Sequence, residues 1–228
     1  MNFIEYKDFT GEVKDVDSKG RRITGYLSSF NTLDSDKDII LQGAFSKSLA
    51  ERMDKIFFLN QHMWHQPLGK FSVLQEDSKG LYFESEPLAD TSYGNDVIKL
   101  YEAGVLKEHS IGFRTIKADY DSETNIRNIK EVKLFEGSVV TLGANSNTPF
   151  TGFKSMTFDD IKEKSNNIIK LLQKGNLTDD TFAQLEIGLN VLMQEAYNMK
   201  NHSEPSRDTQ EPISESVILN EFIKEKWN

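Results

Sequence analysis

The sequence predicts an α+β fold that is mainly β: a sheet or small barrel over residues 1–153 with helices packed outside it, followed by a helical hairpin. Three observations predict it. Through the first two thirds of the chain, apolar residues alternate or run in short blocks, which is strand patterning. Polar stretches of turn composition separate those blocks. After Phe153 the apolar period changes to three and four.

Thr24–Phe30 is a β-rich run closed by Asn31, and Ile56–Leu59 is a short apolar run of the kind found in buried strands. Phe71–Leu74 and Leu81–Glu84 flank the polar stretch Gln75–Gly80, which predicts a hairpin. A second hairpin is expected between Ile111–Tyr120 and Arg127–Thr141, joined through Asp121–Asn125. Two segments depart from the β pattern. Gly43–Met53 spaces Phe45, Leu49 and Met53 four apart, and Asn95–Glu102 spaces Val97, Leu100 and Tyr101 three or four apart, so both read as helices.

Beyond Phe153, Thr157-Phe158-Asp159-Asp160 has the form of a capped helix start, and the stripe Ile161, Ile168, Leu171, Leu172 runs to Lys174-Gly175. A second stripe from Phe182 through Leu189 to Met199 has the cleanest helical period in the chain, and the two stripes are expected to face each other. His202–Ser216 is nearly free of apolar residues and reads as a linker before a short helix in Val217–Trp227. Three divisions follow: 1–153, a hairpin at 154–201, and a linker with terminal helix at 202–228.

Composition narrows the function. The 228 residues carry 27 Lys+Arg against 36 Asp+Glu, a formal charge of -9, so a chain-wide basic footprint for nucleic acid is missing. With no cysteine, thiolate metal sites and a cysteine nucleophile are excluded together, leaving oxygen or nitrogen for any covalent step. No apolar run has the length of a membrane span, and Met1–Asp8 is acidic where a signal peptide is basic and then apolar. The expectation is an intracellular protein with no nucleic-acid or membrane partner. Dinucleotide, Walker, nucleophile-elbow and zincin motifs are all missing, so no cofactor and no metal are expected.

Three residues stand out. His62, in Gln61-His62-Met63-Trp64-His65-Gln66-Pro67, follows the buried strand and could serve as a general base. The plainer reading is a hydrogen-bonded histidine at a strand end. The pair His62 and His65 lacks a third metal ligand nearby. Ser110 sits near the start of a strand before Ile111-Gly112-Phe113, as many serines do without chemistry. Glu136 falls, by period two, on a face shared with Val132, Leu134, Ser138 and Val140, where a carboxylate needs a partner. A structural glutamate held by a backbone donor or by Arg114 is one reading, and an acid that orients a histidine is the other.

At these residues the chain resembles the tailed-bacteriophage prohead (procapsid) maturation proteases, from about Gly25 to Phe150. The matching pieces are Gly25–Phe30 with Asp34–Asp38 and Gly43-Ala44-Phe45; Gln61-His62 with Gln66–Gly69; Gly80-Leu81-Tyr82; Ser110–Phe113; and Leu134–Thr141 with Ala144-Asn145. Lys37-Asp38 stands where the family usually has Gly-Asp, and Gly143-Ala144-Asn145 where Pro-Ala-Asn is usual. The resemblance implies a serine endopeptidase related in fold to herpesvirus assemblin, a β-barrel ringed by helices that works as a homodimer. It implies Ser110 as nucleophile and His62 as base, with Glu136 as the third member and His65 as its competitor. Backbone N–H groups of Gly143, Ala144 and Asn145 are the candidate oxyanion hole. The implied substrates are the extension of the major capsid protein, scaffolding protein and the chain itself, cut inside the procapsid in the bacterial host cytoplasm (or from a prophage). The linker at 202–216 is the expected self-cleavage region. A noncatalytic capsid-assembly or scaffold-binding module of the same fold is the alternative, and a metal-dependent hydrolase using His62, His65 and a carboxylate is the third.

Overall fold

In a computed structural model, residues 4–9, 13–34, 36–141 and 157–202 are described. Two compact units divide the chain, Met1–Gly152 and Phe153–Asn228. Among the described residues the first holds ten strands and two α-helices, so the α+β, mainly β class holds. Its strands are β1 Glu5–Phe9, β2 Val13–Asp17, β3 Arg22–Ser29, β4 Asp38–Ile40, β5 Phe57–Asn60, β6 Pro67–Gly69, β7 Phe71–Glu76, β8 Gly80–Ser85, β9 Glu108–Asp121 and β10 Ile126–Val140. Helix α1, Ser46–Arg52, precedes a 3-10 turn at Met53–Lys55, and α2 spans Ser92–Glu102.

The strands form two sheets. One runs β1-β9-β10-β5-β6, with β4 also pairing to β10, and the other runs β2-β3-β8-β7. Among the described residues the small barrel expected from the sequence is not formed. Among the described residues β1 and β6 remain the edges of one sheet and β2 and β7 those of the other. Alternating apolar residues dictate which faces pack, but closure depends on which edges meet, and no residue pattern encodes that.

The sheets pack through aromatic rings. Phe58 of β5 lies 5.4 Å from Phe71 and 5.5 Å from Phe83 of the second sheet, centroid to centroid. Phe83 in turn meets His109 of β9 edge to face at 5.0 Å. Phe58, Phe83, Phe113 and Leu27 are fully buried, each contributing about 1.5–3 kcal/mol by leaving water. The inter-sheet face of β9 therefore carries His109, Ile111 and Phe113. Ser110 and Gly112, one residue out of phase, look to the other side.

The helices form where the pattern places them, with local reasons for their starts. No side chain of α1 itself caps its N-terminus. Glu76 of β7 does so from outside, accepting from the Gly43 and Phe45 amides at 3.1 and 2.7 Å and from the Ser46 hydroxyl at 2.9 Å. The Thr91 hydroxyl caps α2 by accepting from the Gly94 amide. In the second unit, α3 (Phe158–Lys174) opens on a capping box between Thr157 and Asp160 and ends at Gly175, and α4 spans Asp179–His202 in contact with α3. Among the described residues no helix is long and apolar enough to cross a membrane.

Candidate active site

The site lies on the face of the larger sheet turned away from the second sheet, where β5, β10, β9 and β1 run side by side. β5 is parallel to β10 and aligns Phe57 with Glu136 and Leu59 with Ser138. β9 is antiparallel to β10 and aligns Gly112 with Glu136 and Ser110 with Ser138. Beyond Asn60 the chain turns back over β10, with Gln61 and His62 both in the left-handed region at φ 52° and 60°. Such a backbone costs on the order of 1–3 kcal/mol per non-glycine residue and persists only where its surroundings fix it. Here the Gln61 amide donates to the Val139 carbonyl at 3.0 Å and the His62 amide to the Ser138 hydroxyl at 3.2 Å. The Gln61 side-chain amide also donates to the Thr141 hydroxyl. The turn thereby lowers the His62 ring onto β10.

Glu136 receives it. Its Oε1 is 2.7 Å from His62 Nδ1, and its Oε2 accepts from the Ser138 hydroxyl at 2.6 Å. The carboxylate is fully buried, so these partners supply what water otherwise would. Arg114, one of the partners considered from the sequence, is not among them. Strict alternation also fails here. The pairing steps from Leu134 opposite Phe113 to Glu136 opposite Gly112, a bulge that consumes one extra residue of β10. Leu134 stays with Phe113 on the inter-sheet face, whereas Glu136 and Ser138 move to the face of Gly112 and Ser110. Gly137 then points inward, where a Cβ would meet Leu27 at 2.5 Å.

Gly112 is required by the same arrangement. A Cβ there would sit 2.2 Å from Glu136 Oε1, so the carboxylate occupies the space a side chain would fill. Ser110 is fully buried two residues away, and its hydroxyl donates to the backbone carbonyl of Lys7 at 3.1 Å. His62 Nε2 is also buried and has no hydrogen-bond partner among the described residues. The Tyr6 ring stands edge-on to the imidazole, centroids 4.4 Å apart. Burial, and then the Glu136 charge, raise the Tyr6 phenol above its ordinary pKa.

The structure therefore joins His62 to Glu136 and puts Ser110 and Ser138 opposite each other on neighbouring strands. It does not bring His65 to the pair, since that residue is exposed. Among the described residues no set of three or more histidines and carboxylates could hold a metal ion. Gly143, Ala144 and Asn145, the linker beyond His202 and the Val217–Trp227 segment lie outside the described residues; His202 itself closes α4. Sequence reasoning missed Tyr6 and Lys7, because Met1–Asp8 reads only as a segment that is not a signal peptide. Ser138 was legible as a neighbour of Glu136 on the strand, but not as its hydrogen-bond donor.

Four likenesses to known families and proteins accompany this geometry. Residues 9–164 match the family model of the caudovirus prohead serine proteases. The chain is 37% identical over 150 residues to the prohead protease of Enterobacteria phage HK97, covering 65% of this chain and 64% of that protein. It is 33% identical over 156 residues to the prohead protease of Escherichia phage T5, covering 66% and 73%. A solved structure of the bacteriophage T4 capsid assembly protease is similar at a TM-score of 0.49 and 12% identity, over 60% of this chain and 96% of that one.

Proposed function

This chain belongs to the caudovirus prohead serine protease family, and from that premise we propose that it is a serine endopeptidase that cuts capsid or scaffold protein extensions, and itself, during procapsid maturation. The observation that carries the reading is the His62–Glu136 contact at 2.7 Å, made on the strand that pairs Ser138 with Ser110. A carboxylate on Nδ1 fixes the imidazole tautomer and leaves Nε2 free to act as a base.

In this mechanism Ser110 Oγ forms a bond to the scissile carbonyl carbon while His62 Nε2 takes its proton. The imidazolium, held by Glu136, returns that proton to the amine as the C–N bond breaks, leaving an acyl ester on Ser110. Water, deprotonated by the same imidazole, then hydrolyses the ester and restores the hydroxyl. Backbone N–H groups at Gly143, Ala144 and Asn145 are proposed to hold the developing oxyanion, a contribution of about 2.7–4 kcal/mol per donor in enzymes where it has been measured. Ser138 orients Glu136 by donating its hydroxyl to Oε2.

The setting proposed with it is the interior of the procapsid in the host cytoplasm, with the major capsid or scaffolding protein as substrate and a second copy of the chain as partner. Kinship in fold with herpesvirus assemblin and a hairpin made by α3 and α4 as an appendage to the catalytic unit belong to the same proposal. The test is cleavage of the cognate capsid protein by the purified chain with a chelator present. Activity that survives the chelator and is lost in His62→Ala supports the serine mechanism. Activity abolished by the chelator points to the metal-dependent hydrolase, and its absence under all conditions to a noncatalytic assembly module.

A further inference from the structure

We infer that Arg52, Lys133 and Arg114 form an anion subsite on the same face of the larger sheet as the His62–Glu136 pair, and that it takes an acidic side chain of the substrate some four residues from the bond that is cut. The inference deepens the proteolytic reading above and rests on Ser110 marking the point of cleavage. Lys133 of β10 lies opposite Arg114 of β9, one step from the inward pair Leu134 and Phe113, so both cations point to the face that carries Glu136, Gly112 and Ser110. Phe135, the extra residue of the bulge beside Glu136, links Lys133 to a third cation. Lys133 Nζ lies 5.7 Å from the centroid of its ring and the Arg52 guanidinium carbon 5.0 Å.

Helix α1 fixes Arg52 there but supplies no counter-charge. The helix packs along β10 through the Ser48 hydroxyl, which donates to the Val132 carbonyl at 2.6 Å and accepts from the Leu134 amide at 2.9 Å, and Arg52 follows one turn later. Among the described residues no carboxylate lies within ion-pair distance of Arg52, Lys133 or Arg114. The carboxylate of Glu131, on the same strand as Lys133, is taken by Lys47 at 3.3 Å and Lys117 at 2.6 Å. Arg52 Nε and Nη1 are buried and have no acceptor among the described residues. A guanidinium cannot shed its charge, and a buried donor left unmet is costly. In a chain with 36 acidic against 27 basic residues, three unpaired cations on one face mark a place whose counter-charge comes from outside.

Position decides which anion fits. Ser110 and Arg114 stand on one strand, separated by about 13 Å of extended backbone. An extended peptide with its scissile carbonyl at Ser110 therefore reaches the patch with a residue three to five positions away, not with the residue at the bond itself. A carboxylate side chain suits the groups waiting there, since a planar guanidinium and an ammonium both donate charge-assisted hydrogen bonds to its oxygens. The Phe135 ring shields one side of the patch from water, which strengthens such bonds. A nucleic-acid strand, with a charge at every phosphate, would meet the repulsion of a chain whose net charge is -9.

The experiment uses the full chain with Ser110→Ala, and fluorescein-labelled peptides spanning the bond cut in the cognate capsid protein, located by sequencing the new N-terminus of the product. Each peptide carries Glu, Gln or Lys at a single position three, four or five residues to either side of that bond. Anisotropy gives Kd for this chain and for the same chain with Arg52→Glu or Lys133→Gln added. Glu at one of these positions should bind about tenfold more tightly than Gln, with the ratio falling as salt is raised. Lys133→Gln should reduce the ratio to about threefold, and Arg52→Glu should invert the order so that Lys is preferred to Glu, which damage to the fold cannot produce. Equal binding of the Glu, Gln and Lys peptides, or a Glu preference unchanged by both substitutions, overturns the subsite. Cleavage of the same peptides is followed in chains with and without Ser110→Ala. Cleavage undiminished by Ser110→Ala, alongside a Glu preference that depends on Arg52, overturns the serine assignment and leaves the subsite standing.

Discussion

Glu136 Oε1 lies 2.7 Å from His62 Nδ1, and the same carboxylate is steadied from its other oxygen by the Ser138 hydroxyl at 2.6 Å. The relationship depends on a bulge in β10, which turns Glu136 out of the inter-sheet core and onto the face of Ser110.

Replacing Glu136 by Gln keeps shape and burial but removes the charge that favours the imidazolium and can select the wrong His62 tautomer. By analogy with carboxylate-to-amide changes in other triads, kcat should fall by up to about 10⁴-fold with KM little altered. Steady-state kinetics on a capsid-derived peptide check it. A loss below about threefold removes Glu136 from the mechanism.

Ser138→Ala leaves the buried Glu136 Oε2 without its donor. The cost is about 1–3 kcal/mol of stability for an unsatisfied buried acceptor, read by urea unfolding. Ser138→Thr retains the hydroxyl and should recover activity more than stability. Equal activity of the Ala and wild-type chains would show that the carboxylate is oriented by His62 and the strand alone.

Gly112→Ala tests the close approach directly. The added Cβ would sit 2.2 Å from Glu136 Oε1 and 3.0 Å from its Cδ, so the carboxylate must move off His62. Turnover should drop at least as far as in Glu136→Gln, with a stability loss of about 1–3 kcal/mol from overpacking. An active Gly112→Ala chain contradicts the placement of Glu136.

The pH dependence of stability should be governed in part by His109. It is fully buried against Phe83, with the Tyr101 hydroxyl 2.9 Å from Nε2. Burial lowers its pKa from 6.5 to about 3. Between those values the unfolded chain binds a proton that the folded chain refuses, so this contribution is complete above about pH 6.5 and declines as pH falls. The slope is at most about 1.4 kcal/mol per pH unit, or roughly 2 kcal/mol lost by pH 5. Urea unfolding at pH 7.5 and 5 measures it, and His109→Gln should flatten the difference. An unchanged slope in that variant means that other groups carry it.

Much of the fold was legible because it is written in periodicity. The hairpins β7–β8 and β9–β10, the strand β5 and helices α1 to α4 all form where alternation or three-four spacing places them. The short strands β1, β2, β4 and β6 were not legible, since none holds more than five residues and their order comes from pairing partners far away in sequence. The same limit explains the barrel that is not there. At the site, His62 and Glu136 could be singled out by residue type, and Glu136 by the oddity of a carboxylate in an apolar strand. Their contact could not be derived from alternation, because the bulge at Phe135 breaks the period on which that derivation rested. Tyr6 and Lys7 left no signal, as their roles arise only when β1 pairs with β9.

The central claim is that Ser110 is the nucleophile of a prohead endopeptidase, and co-expression with the cognate capsid protein tests it most directly. Wild-type chain should convert the capsid protein to its shortened form, and Ser110→Ala should leave it at full length in particles that otherwise assemble. Processing that continues undiminished in Ser110→Ala would contradict the claim.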